Sequence, residues 1–207
     1  MPFNESPEKL KNRIDAMRPY VDEIVDKVDA LGDLDGDAYF IREAVREACI
    51  AALEGNYGVG AVIVHNGKIV ARGRNELGNT SNPMFHVAHA EIKALEDYHI
   101  KVDHNDRNPE EVCVYTTLEP CPMCTCAIFN AGVKKVLAGS VDEWGGQMIS
   151  NQGNLVSVWR SLLTSSGTSH KVADVPAVLG QASRDIFMLT KESLDRALST
   201  KGAVNSK

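Results

Sequence analysis

The chain has 207 residues, 43% hydrophobic and 24% charged, with a net charge of −6, which bounds it to one globular domain with an appendage, or to two small domains. A chain this long can bury a sizeable core without disulfides, and it has no apolar run near the roughly 18–20 residues that a membrane span needs. The acidic balance, with Lys134-Lys135 as the longest basic cluster, argues against a nucleic-acid surface, which needs clustered Lys and Arg. The expected partner is a small molecule, with no nucleic acid and no membrane.

The N-terminus, MPFNESPEKLKN, has no apolar stretch behind its charges, so a cytoplasmic location is expected rather than a secretory one. Residues 1–37 read as a helical extension with a linker. Ser6 caps a helix with Pro7 at its first position, and Leu10, Ile14, Met17, Val21, Ile24, Val28 and Leu31 follow a helical period. Pro19 is expected to kink or split that helix, and Gly32 to Asp37 to form a boundary.

A second helix is expected over residues 38–53, burying Phe40 or Ile41, Ala44, Val45, Ala48 and Ala51. Strands at 59–65 and 68–74 meet at Asn66-Gly67, a tight-hairpin signal. A polar loop through Pro83 leads to His89 and a helix over 90–98. Residues 101–111 read as a loop, 112–117 as a strand, and Pro120 and Pro122 mark the entry of a short helix ending at Gly132. A strand at 133–138, a helix at 155–163, a loop at SSGTS and a last helix near 191–199 complete the chain. Alternation of this kind predicts a three-layer α/β/α sandwich around a mixed sheet of about five strands.

Five cysteines is an odd number, and Cys121, Cys124 and Cys126 crowd into six residues, which points to metal or redox chemistry rather than a disulfide framework. Cys121 and Cys124 share a helix face at a helix start, where the macrodipole favours thiolate. Alone, this Cys-x-x-Cys is open between a redox pair, a structural zinc site and a catalytic one. Cys126 lies about 200° round an ideal helix from Cys124 and reads as a small buried packing residue, as do Cys49 and Cys113. His89-Ala90-Glu91, upstream of Pro120-Cys121-Pro122-Met123-Cys124, resembles the His-x-Glu and Pro-Cys-x-x-Cys signature of zinc deaminases. His89, Cys121 and Cys124 as ligands of Zn2+ leave one position for water, as catalytic zinc requires. Glu91 then moves protons as zinc-bound hydroxide attacks the base and ammonia leaves. The plain alternatives are a core or loop His89 and a Glu91 that merely suits a helix N-terminus.

From Ala38 to Ser140 the chain resembles the cytidine deaminase-like superfamily, in particular the branch holding tRNA adenosine deaminases, guanine deaminases and fungal cytosine deaminases. Val59-Gly60-Ala61-Val62, Gly73-Arg74-Asn75 and Thr117-Leu118-Glu119-Pro120-Cys121 carry the likeness beside the metal motif. It implies a zinc-dependent deaminase domain over residues 38–200 and a homodimer or higher oligomer whose interface borders the active site. Asn75 would hydrogen-bond substrate and the Ala90 backbone would hold the base. Glu119 would shape the pocket, and the Cys121 N–H would orient the metal's water. Asn75 as a strand-end turn residue and Gly60 as a tight-packing position are the plain readings.

Two segments depart from the family. Pro83 lies six residues before His89 rather than three, which leaves the pocket wall and the substrate size open, and His86 becomes a candidate contact to substrate or metal. VDEWGGQMISNQG after Ser140 is unlike tRNA-editing members; its Trp144 either stacks on a base or lies at a surface or interface. The leading expectation is a hydrolytic deaminase of a small nucleobase, nucleoside or related amino-heterocycle, a purine such as guanine being preferred. An RNA-editing adenosine deaminase, a non-catalytic zinc scaffold and a dithiol redox protein are the alternatives.

Overall fold

A computed structural model describes residues 5–79, 81–150, 153 and 156–202. Helix α1 (Pro7–Asp29) is capped by Ser6, whose hydroxyl accepts from Lys9 N, and carries Pro7 at its start. It packs on α2 (Gly36–Leu53). Strands β1 (Gly60–His65) and β2 (Lys68–Arg74) form an antiparallel hairpin, and Asn66 and Gly67 both take positive φ, as a two-residue turn of this hand requires. Then come α3 (Ala90–Lys101), β3 (Val112–Leu118), α4 (Pro122–Asn130), β4 (Lys135–Ser140), α5 (Ser157–Ser165), β5 (Ser169–Val172) and α6 (Ala177–Gly202).

The sheet runs β2-β1-β3-β4-β5, antiparallel from β2 through β3 and parallel from β3 to β5. Its period-two alternation divides the core into two layers. Val62 and Val64 of β1 and Tyr115 of β3 face α1, α2 and α6, through Val21, Val28, Ile41, Val45 and Ile186. Ala61 and Ile63 of β1 and Val114 of β3 face α3, α4 and α5, through Ala94, Leu95, Ile128 and Leu163. The architecture is thus the three-layer sandwich with a mixed sheet of five strands.

Gly60 and Gly73 bring helices against this sheet. A Cβ on Gly60 would lie 2.2 Å from Ala44 O in α2, and one on Gly73 2.2 Å from Ala94 N and 2.3 Å from Ala90 O in α3. Edge strand β2 is further fastened by ion pairs, Arg72 with Glu43 at 2.8 Å and Arg74 with Glu54 at 2.8 Å.

Some expectations are corrected. Pro19 lies inside α1 and does not split it. Pro19 and Asp15, whose carbonyl loses its donor, are exposed, so water can replace that bond, while Met17, Val21, Ile24 and Val28 on the other face are buried. The last helix is far longer than residues 191–199, because Leu179, Ala182 and Ile186 bury against the sheet well before that stretch. Ser169, read as loop, opens β5. Leu155, the expected start of the fifth helix, lies outside the described residues, as do Asn151 and Gln152. No helix among the described residues is long and apolar enough to cross a membrane.

Candidate active site

Two helix N-termini converge at one end of the sheet. His89 is the N-cap residue of α3, in extended conformation, and Cys121 is the N-cap residue of α4, with Pro122 next. Pro122 fixes the helix entry without wasting a donor, since the first N–H groups of a helix have no intrahelical partner. One turn on, Cys124 points back to Cys121 and is fully buried. The ligand atoms of His89, Cys121 and Cys124 all lie within 4.8 Å of one another, with His89 Nδ1 3.7 Å from Cys121 Sγ.

The electrostatics suit a cation. Cys121 is held down to about 4, first by a hydrogen bond from Cys124 and then by His89, while Cys124 is pushed up by the same bond and by burial. His89 is raised by its contact with Cys121. One thiolate therefore already exists at neutral pH, facing a second thiol and an imidazole. A nitrogen and two sulfurs at tetrahedral-site spacing fit zinc. His89 and Cys121 also line a cleft of ≈430 Å³, while Cys124 sits behind them. The side toward the cleft has no fourth protein ligand among the described residues, which is the catalytic rather than the structural arrangement.

Glu91, in the first turn of α3, is buried and lines the same cleft. Burial raises its carboxyl, and the negative Cys121 adds to the shift. Thr116 Oγ1 lies 3.3 Å from its Oε1. Asn75, Ala90, Glu119 and Trp144 also line the cleft. Asn75 is at once a turn residue and a cleft residue, since its Oδ1 accepts from Leu77 N at 3.2 Å and so fixes the side-chain amide.

Glu119 faces mainly the segment that follows β4. Its Oε1 accepts from Ile149 N and Ser150 N, at 2.6 and 2.7 Å, and its Oε2 from Asp142 N and Ser150 Oγ, at 3.1 and 2.7 Å. Gly146 lets this loop close over it, as a Cβ there would lie 2.4 Å from Glu119 Cδ. Trp144 stands at the rim, 65% exposed, with Lys191 Nζ 5.1 Å from its ring centroid.

His86 is not among these residues. It is exposed on the 3-10 turn Phe85–Val87, edge-on to Phe85, and belongs neither to the ligand cluster nor to the cleft lining. Cys126 is outside the cluster too, half-buried rather than buried, whereas Cys49 and Cys113 are core thiols that burial pushes up to about 12. Sequence reasoning missed Tyr57, Leu77, Asp142, Phe187 and Lys191 in the cleft wall, and Thr116 beneath Glu91. Phe187 and Lys191 share one face of α6 by their i,i+4 spacing, but nothing local ties that face to the metal motif.

Comparison with known proteins agrees with this geometry. Residues 34–140 match the cytidine and deoxycytidylate deaminase zinc-binding region. The tRNA-specific adenosine deaminase of Aquifex aeolicus is 34% identical over 115 residues, 56% of this chain and 73% of that protein. Its counterpart in Bacillus subtilis is 38% identical over 117 residues, 53% of this chain and 65% of that protein. A solved structure described as "Biochemical and Structural Studies of A-to-I Editing by tRNA:A34 Deaminases at the Wobble Position of Transfer RNA" superposes with a TM-score of 0.55 at 28% identity, over 72% of this chain and 98% of that one.

These relatives overturn the expectation of a small-molecule partner and no nucleic acid, because they are named for tRNA. They do not support the preference for a free purine such as guanine, and the RNA-editing alternative fits them better. The chain belongs to the cytidine and deoxycytidylate deaminase family, within the cytidine deaminase-like superfamily, and is a zinc-dependent hydrolytic deaminase.

Proposed function

We propose that the chain deaminates adenosine within tRNA. The observation that carries this reading is the match to the Aquifex aeolicus tRNA-specific adenosine deaminase, 34% identical across 73% of its length. Five cysteines without a disulfide suit a reducing, cytoplasmic setting, and a homodimer belongs to the same reading.

Zinc held by His89, Cys121 and Cys124 supplies Lewis-acid activation of water. The chain's own groups do the rest. Glu91, whose carboxyl burial raises, stands in the cleft wall, where it can accept a proton and return it. It takes a proton from the attacking water and gives it to the ring nitrogen; it then takes the second proton from the added hydroxyl, as this becomes the carbonyl, and gives it to the departing amine. The Asn75 amide and the Ala90 backbone, both in the cleft wall, orient the base. Leu77, Leu118 and Phe187 form the apolar walls that exclude bulk water.

The test is ammonia release and inosine formation on an anticodon stem-loop RNA containing adenosine, beside guanine, cytosine and free adenosine. The reading expects turnover of the RNA, lost by about 10²-fold or more in Glu91→Gln with zinc content unchanged. Turnover of a free base with none of the RNA refutes it.

A further inference from the structure

The catalytic carboxylate has a partner deeper in the fold that neither the metal motif nor the cleft wall includes. We infer that Thr116, on central strand β3, is a positioning residue whose hydroxyl fixes the carboxylate of Glu91 for proton transfer. The inference concerns the deaminase machinery itself and holds whatever the substrate.

Thr116 is 0% exposed and Glu91 3%, so no bulk water competes at this contact. The hydroxyl oxygen lies 3.3 Å from Glu91 Oε1 and 3.1 Å from Leu118 O, and it has one proton to give. The hydroxyl can rotate to suit its acceptors, and Glu91 Oε1 is one of the two within its reach. The donor itself cannot wander. Thr116 pairs with Ala61 of β1 on one side and Ala138 of β4 on the other, and its branched side chain has few rotamers to choose from.

Glu91 needs such a clamp. It sits on the first turn of α3, and its flexible side chain must be held if the carboxyl is to keep one orientation. A hydrogen bond to Oε1 from β3 restricts how the carboxyl can turn, and Glu91 lines the cleft. A displacement of about 1 Å at such a group costs on the order of 10²-fold in rate.

Thr116→Val removes the hydroxyl and keeps the branched shape; Thr116→Ser keeps the hydroxyl and removes the methyl. Both are measured as zinc-loaded full chains, for kcat and KM on the stem-loop RNA, zinc per chain and thermal midpoint. The clamp predicts that Thr116→Val lowers kcat by about 10- to 100-fold with KM within about twofold, and that Thr116→Ser keeps kcat within a few-fold of the parent. A role in packing alone predicts the reverse order, since the serine variant leaves the cavity. Crystal structures of both variants give a readout that needs no substrate: Glu91 stays in place beside Ser and shifts or gains a second rotamer beside Val. A parental kcat, or an undisplaced Glu91, in Thr116→Val overturns the inference, as does a serine variant as impaired as the valine one. Failure of the parent to act on the RNA refutes the substrate reading and leaves the structural comparison to decide this one.

Discussion

Replacing Glu119 by glutamine tests whether one buried carboxylate holds the loop that forms a wall of the cleft. Glu119 is 2% exposed, and each oxygen accepts two hydrogen bonds, three from backbone N–H groups and one from Ser150 Oγ. Glutamine keeps the shape, but it removes the charge and turns one acceptor into an NH2 donor facing other donors. Hydrogen bonds to a charged group contribute about 1.5–3 kcal/mol each, and a buried donor left unpaired costs about 1–3 kcal/mol. The loop can peel into water rather than bear the whole penalty, which limits the loss to about 2–4 kcal/mol, paid locally. At 1.4 kcal/mol per factor of ten, amide exchange at Ile149 and Ser150 should accelerate by about 30- to 1,000-fold. Exchange in the core of β3 should change far less. Asp142 and Trp144 belong both to this loop and to the cleft, so KM should rise more than kcat falls. Unchanged exchange at Ile149 and Ser150, with the variant folded, would show that the loop is held by something other than Glu119.

Two further perturbations probe the site from opposite sides. In chelator-stripped protein Cys121, held down to about 4, is ionised at every pH above that value. Its alkylation rate should therefore be flat from pH 6 to 8, while Cys126, whose thiol burial raises, labels faster as pH climbs. Zinc should suppress the Cys121 signal, and a Cys121 rate that rises tenfold per pH unit contradicts the assigned thiolate. Gly73→Ala drives a methyl into the backbone of α3, 2.2 Å from Ala94 N and 2.3 Å from Ala90 O, which no side-chain rotation relieves. Overpacking of this kind costs about 1–3 kcal/mol, and the shift in α3 carries His89 and Glu91 with it, lowering kcat by about 10²-fold. Gly67→Ala is the control: its φ of +72° is strained for alanine but nothing lies within 4 Å, so it should lose about 1–2 kcal/mol of stability and no activity. Equal kcat in the two glycine variants refutes the link between helix seating and catalysis.

What was legible in the sequence is what is decided locally. The Asn66-Gly67 turn, the Ser6 cap and the Cys121/Cys124 pair each depend on residues within four of one another, and each stands in the structure as the spacing implies. Bringing His89 to those cysteines takes a tertiary step, but both elements announce their N-termini, so the trio could be assembled from two local signals. Phe187 and Lys191 carry no such mark. They reach the cleft because α6 follows β5 back across the sheet, a placement set by the burial of Leu179, Ala182 and Ile186.

The misjudged partner has a physical cause of the same kind. Net charge sums over the whole surface, whereas exposed charges act over roughly one Debye length, about 10 Å at 0.1 M salt. Part of the acidity is neutralised in ion pairs: Glu43 and Glu54 pair with Arg72 and Arg74, and Glu23 and Asp97 pair with Lys27 and Lys101 along single helices. At the cleft Lys191 stands beside the exposed ring of Trp144, an aromatic face with a cation next to it, which is the chemistry an unstacked base and its phosphate can use. Affinity for a polyanion depends on the charges along its path, so a total of −6 does not by itself exclude RNA at this mouth.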